Sequence, residues 1–158
     1  MPITTLIRSA LAMAVVATAA CLDSTAPELK TIEETTFASS LGVDIAASTK
    51  TANGAYYRDI VPGTGTPLVA GQTLVVRYTG WLSNGIQFDS NVTKPAPLTF
   101  KLGAREVIPG FDEAMVGVKV GARRQLIVPP DLGYGPSDYG PIPGNSVLVF
   151  SVEVISAQ

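Results

Sequence analysis

Few side chains in this sequence could carry chemistry, and the missing types narrow the choice first. There is no histidine and only one cysteine, Cys21. That excludes Ser/His/Asp and Cys/His nucleophilic machinery, His-ligated metal sites and an internal disulfide. No Gly-x-Gly-x-x-Gly or Walker pattern offers a phosphate cradle, so no cofactor and no metal ion are expected. What remains is a series of aromatic rings with polar groups among them: Tyr78, the pair Phe88-Asp89, Phe100, the segment Glu106-Val107-Ile108-Pro109-Gly110-Phe111, Tyr134 between Gly133 and Gly135, and Phe150. Taken singly, each ring reads as core packing. Asp89 alone reads as a turn-forming residue after a strand, and Tyr134 as loop packing.

The elements that must position these residues are written in alternation. Tyr56 to Val61 reads as a strand closed by the turn Pro62-Gly63-Thr64-Gly65. Leu74 to Gly80 and Ile86 to Asp89 flank Ser83-Asn84-Gly85 and predict a β-hairpin, with Leu74, Val76 and the Tyr78 phenol on the inward face. Further strands are predicted over Leu98 to Leu102, Arg124 to Pro129, and Val147 to Ile155, where Leu148, Phe150, Val152 and Val154 share a face. Gly110 to Val116 reads as the one short helix, with Asp112 and Glu113 in its first turn. Trp81 and Arg77 read as surface or edge residues, and Gly63, Gly65, Gly80, Gly103 and Gly121 as turn or bulge glycines. One apolar sheet face must be covered and one helix is available, so the expected fold is α+β, an antiparallel half-barrel wrapped around a short α-helix.

The order of these motifs resembles that of the FKBP-type peptidyl-prolyl cis-trans isomerases, from about Gly54 to Ser156, including Pro129-Pro130-Asp131-Leu132-Gly133-Tyr134-Gly135 and Pro141-Ile142-Pro143-Gly144. The resemblance implies a shallow apolar pocket for a proline ring. Its lining would be Tyr78, Phe88, Asp89, Val107, Ile108, Phe111, Tyr134 and Phe150, with Phe100 beneath and Ile142 supplying a wall from the last loop. By the same resemblance Asp89, Tyr134 and the backbone N–H of Ile108 are the catalytic contacts. Such a pocket needs no proton transfer, which suits a chain without histidine: rotation about X-Pro is slow because twisting costs the amide its resonance, and an apolar site favours the less charge-separated twisted amide. The chain departs from the pattern at Lys94, where an arginine commonly pairs with the aspartate, at Leu98, where an aromatic is usual, and at Phe111, where tryptophan is usual. The loop from Ser137 to Gly144 is about one residue shorter than in compact members.

With 158 residues there is room for one domain and a tail. Net charge is −2 and no run of like charge occurs, so no nucleic-acid partner is expected. Arg8 precedes an apolar run, Ala10 to Ala20, of secretory-signal length, and Thr18-Ala19-Ala20-Cys21 resembles a bacterial lipobox with Thr in place of the usual Leu. The division predicted is a signal over 1–20, a lipidated Cys21 with a tether and arm over 21–50, and the isomerase domain over 51–158. Cleavage near Ala19 or Ala20 without lipid is the alternative. The arm from Thr31 to Lys50, with Ile32, Phe37, Leu41, Val43 and Ile45, is too apolar for a free linker and is expected to pack on the domain. The expected protein is a monomer of the cell envelope, held to a membrane by its lipid and facing the periplasm or exterior. It would act on proline-containing polypeptides during folding of exported proteins and bind macrolide inhibitors. The competing reading is a proline-segment binding module or holdase with little turnover.

Overall fold

The computed structural model describes residues 30–158, in which the alternating runs form an antiparallel sheet around one short helix. The signal-like run, Cys21 and the tether up to residue 29 lie outside the described residues. The strands are β1 (Thr49–Lys50), β2 (Tyr56–Val61), β3 (Thr73–Leu82), β4 (Gln87–Ser90), β5 (Leu98–Lys101), β6 (Arg123–Val128) and β7 (Leu148–Ala157), and the helix α1 is Pro109–Ala114. Their order is β1-β2-β6-β7-β3-β4, with β5 also paired to β3. The short strand β1 has no alternation to announce it, since two residues cannot show a period. It joins the sheet through Thr49↔Tyr57 and Lys50↔Tyr56.

Strand β3 organises the site. One edge pairs with β7 from Leu74↔Ala157 to Leu82↔Leu148; the other takes β5 along its first half and β4 along its second. In the gap between β4 and β5 the Asn91 side chain stands in for a strand, accepting from the Tyr78 N–H at 2.7 Å and donating to the Val76 carbonyl at 3.1 Å. Arg77 is not a plain edge residue as its position suggests. It is half-buried and its guanidinium donates to the carbonyls of Asn91, Lys94 and Ala96 at 2.6, 2.7 and 3.3 Å, buckling the loop over residues 91–97.

The inward faces of β3, β6 and β7 bury Leu74, Val76, Leu126, Val128, Leu148, Phe150, Val152 and Val154 against Phe111, Ala114 and Met115. Helix α1 sits close to β6 because residue 110 is glycine: a Cβ there would lie 2.5 Å from Val128 Cγ1. Asp112 has a further task beyond favouring the helix dipole. Its buried carboxylate accepts the N–H groups of Gly103 at 2.7 Å and Arg105 at 3.0 Å, tying the loop before the helix to the helix.

The arm covers the other sheet face. Ile32, Tyr56, Ile127, Val147 and Val149 form a second buried cluster, flanked by Phe37, Leu41, Val43 and Ile45. The arm's only helical turn is a 3-10 turn at Ser39–Leu41, so packing rather than helix formation holds it down. The Ala38 N–H donates to the Ser83 carbonyl at 2.8 Å, Gln125 Nε2 to the Leu41 carbonyl at 2.7 Å, and Arg58 to the Gly42 carbonyl at 2.9 Å. A chain beginning at Ser48 should still unfold cooperatively, because the inner core is independent of the arm. It should lose about 2–4 kcal/mol, the apolar burial of the second cluster less the entropy of ordering the arm. Urea unfolding of the two lengths measures this, and a shortened chain with no cooperative transition would make the arm part of the folding core.

Candidate active site

Where the inner sheet face runs out past α1, aromatic rings meet around an open cavity. Tyr78, Phe88, Asp89, Leu98, Arg105, Glu106, Val107, Ile108, Phe111, Tyr134 and Phe150 line a pocket of about 430 Å³. Phe111 forms its floor and meets Phe150 edge-to-face at 5.4 Å and Tyr78 at 6.2 Å; Phe88 meets Phe150 edge-to-face at 5.6 Å. This packing depends on Gly80, which is more than a bulge residue. A Cβ on Gly80 would lie 2.6 Å from Phe88 Cζ and 2.9 Å from Phe150 Cε1, so the missing side chain is what lets the two rings meet.

The rim is polar and fixed. The Tyr78 hydroxyl donates to Asp89 Oδ2, and Asp89 Oδ1 accepts from the Ser90 N–H at 2.8 Å and from the Lys94 ammonium at 3.0 Å. Lys94 thus reaches the aspartate as an arginine would, through one contact instead of a fork. Tyr134 also lines the cavity, its ring stacked on Tyr139 at 4.5 Å. Ile108 is the residue before the first turn of α1, with extended backbone, and among the described residues its N–H makes no hydrogen bond to protein. A free donor therefore stands beside apolar walls.

Eight of the ten expected site residues, Tyr78, Phe88, Asp89, Val107, Ile108, Phe111, Tyr134 and Phe150, are brought together on this surface. Phe100 and Ile142 do not reach it. Phe100 is buried behind the floor, edge-to-face with Phe111 at 5.7 Å. Ile142 is buried in the core because a backbone bridge with Tyr139 folds the short last loop back on itself, so it gives the cavity no wall. Arg105 and Glu106 join the lining, though neither is expected there: Glu106 enters the sequence pattern only as the start of its segment. Both are exposed charged loop residues, and no sequence period marks such positions.

The profile of the FKBP-type peptidyl-prolyl cis-trans isomerases matches residues 65–155. This chain belongs to that family. It is 42% identical over 103 residues to an FK506-binding protein of Neisseria meningitidis serogroup B, covering 65% of this chain and 94% of the relative. Among solved structures, FkpA from Escherichia coli superposes with a TM-score of 0.64 at 36% identity, over 71% of this chain and 52% of FkpA. AtFKBP13 gives a TM-score of 0.64 at 35% identity, over 70% of this chain and 98% of that one. The chain spans about half of FkpA. The activity of an FKBP-type domain is peptidyl-prolyl isomerisation, and the fold is the antiparallel half-barrel that the strand pattern predicts.

In this FKBP domain the Tyr78–Asp89 pair and Tyr134 keep their charge states through neutrality. The Tyr78 hydroxyl bond, ahead of Lys94 and the Ser90 N–H, holds the Asp89 carboxyl below the usual range against the opposing effect of burial. Burial and then the Asp89 bond push the Tyr78 phenol well up, and burial raises that of Tyr134. Asp89 therefore stays ionised and both phenols stay protonated, so kcat/KM should be flat between about pH 6 and 9. The sign at low pH follows from the depressed carboxyl. Its stabilisation is present above the unfolded value of about 3.9 and is lost as pH falls through the lower folded value. A pH–rate profile with a limb near 7 would reveal an acid–base step that this pocket does not contain.

Proposed function

We propose that this chain is an envelope-tethered prolyl isomerase that assists the folding of exported proteins, working by desolvation and one backbone donor. The pocket carries the isomerase part of this reading: a cavity of about 430 Å³ whose aromatic and aliphatic walls have room for a proline and its neighbours, a free N–H at one wall, and a Tyr78–Asp89 rim that keeps its charge through neutrality. A proline ring rests on Phe111 between Tyr78, Phe88, Val107 and Phe150. The Ile108 N–H binds a substrate carbonyl, and Asp89 and Tyr134 offer contacts at the rim. Removal of water favours the twisted amide over the more charge-separated planar one, against a barrier of about 18–20 kcal/mol. An FK506-type macrolide would occupy the same walls. Export and tethering rest on the run Ala10 to Ala20 and on Cys21 after Thr18-Ala19-Ala20. The tether gives slow-folding exported chains a local isomerase, since unassisted prolines equilibrate over about 10–100 s.

Protease-free NMR exchange on proline peptides tests the mechanism. Asp89→Leu and Tyr134→Phe should each lower kcat/KM by about 3- to 30-fold, the cost of a polar contact and not of a reacting group. A wild-type rate equal to the uncatalysed one, with peptides still bound, would turn the site into a binding module. Mass spectrometry of the chain exported from a bacterial host should find acyl chains on an N-terminal Cys21. A mature terminus elsewhere would remove the tether.

A further inference from the structure

A second cavity, of about 460 Å³, lies against the first, lined by Asn53, Gly103, Arg105, Pro109, Asp112, Glu113, Val116 and Leu132. Arg105 is the one residue lining both. We propose that the two cavities form one substrate groove and that Arg105, at the joint, selects client segments carrying an acidic side chain next to the isomerised proline. This deepens the isomerase reading and rests on it.

Three observations carry the proposal. Arg105 is held with φ of 58°, in the left-handed region that non-glycine residues seldom enter. The two N–H bonds to the Asp112 carboxylate keep the loop in that form, so the direction in which the side chain leaves the backbone is built in. The third concerns which charges are free. Asp112 has both oxygens on backbone N–H groups, Glu113 accepts from the Asn53 N–H at 3.1 Å and from Asn53 Nδ2 at 2.8 Å, and Glu106 accepts from the Lys101 N–H at 2.9 Å. On the far rim Asp89 and Lys94 hold each other. Among the described residues the Arg105 side chain makes no hydrogen bond or ion pair and is exposed. The free group that a passing chain meets is thus a guanidinium, whose planar fork fits a carboxylate in two parallel bonds. Glu106 and Glu113 oppose an incoming acid through solvent, where screening weakens them relative to a direct contact, and the buried Asp112 carboxylate is offset in part by the two backbone N–H groups it accepts.

The test uses the full chain and peptides carrying Glu, Gln or Lys at each of the two positions on either side of one proline, with kcat/KM read by NMR exchange and Kd by fluorescence anisotropy. At one position at least, Glu should exceed Gln by about three- to fivefold, the size of an exposed charged contact, and Lys should fall below Gln. The Glu/Gln ratio should drop towards one in Arg105→Gln, invert in Arg105→Glu, survive in part in Arg105→Lys, and shrink in 0.5 M salt as expected for an exposed pair. A ratio unchanged by Arg105→Gln, or no discrimination at any position, overturns the proposal. Failure of the isomerase reading looks different: no peptide is turned over, and the same ratios taken from Kd then decide whether the groove reads acids.

Discussion

Ile108→Asp should lower kcat/KM for proline peptides by about 100-fold, equivalent to about 3 kcal/mol, while changing the stability of the fold far less. Ile108 lines the pocket beside Val107 and Phe111, and its N–H makes no hydrogen bond to protein among the described residues. A carboxylate there faces a bound proline ring, must shed water as the ring seats, and places negative charge where a substrate carbonyl oxygen would lie. Stability should change less, because a new cap bond offsets part of the packing that Ile108 makes against the core. Ile108 is the N-cap of α1 and provides no side-chain cap bond, and aspartate is among the preferred caps, contributing up to about 1 kcal/mol. Ile108→Val, which keeps the apolar wall, should retain most of the rate. Thermal unfolding beside peptide exchange separates the two effects. A rate close to wild type in Ile108→Asp would show that the proline does not pack at this wall.

How far the sequence reveals this site depends on whether a residue's job is periodic. The inward positions of β3 and β7 are legible because Leu74, Val76, Leu148, Phe150 and Val152 repeat every second residue and the core repeats with them. The second covered face was legible only as an apolar arm without a period, since Phe37, Leu41, Val43 and Ile45 pack as an irregular chain onto Ile127 and Val149. Residues that act across the sequence are the least visible. Gly80 reads as a bulge, yet its lack of a side chain admits Phe88 and Phe150. Arg77 reads as an outward charge on a strand, yet three carbonyls from the loop over residues 91–97 converge on it. In each case a partner lies far along the chain, Phe150 for Gly80 and the loop over residues 91–97 for Arg77, and nothing local encodes the meeting. Ile142 shows the converse: a bridge inside a shortened loop turned an expected wall residue into core.

Arg124 belongs to that hidden class, and Arg124→Met should cost about 3 kcal/mol, on the order of 10 °C in Tm. The alternation of β6 puts it on the same inward face as Leu126 and Val128, a place where a charge needs partners, and it is only 3% exposed. Its guanidinium donates to both Asp59 carboxylate oxygens at 2.6 and 3.0 Å, and to the carbonyls of Ala114 and Val116 at 2.9 and 3.0 Å, while lying over the Tyr57 ring. The last two bonds matter most to the site, because they satisfy carbonyls at the end of the helix whose Phe111 forms the pocket floor. Methionine fills similar volume but leaves those carbonyls without a donor and Asp59 without a partner. Asp59→Asn should cost less, about 1–2 kcal/mol, since its side chain is 37% exposed and water can replace part of what it loses. A double-mutant cycle would then show the two losses to be non-additive. If Arg124→Met unfolds at the wild-type urea concentration, the clamp contributes nothing, and the position of α1 must follow from apolar packing alone.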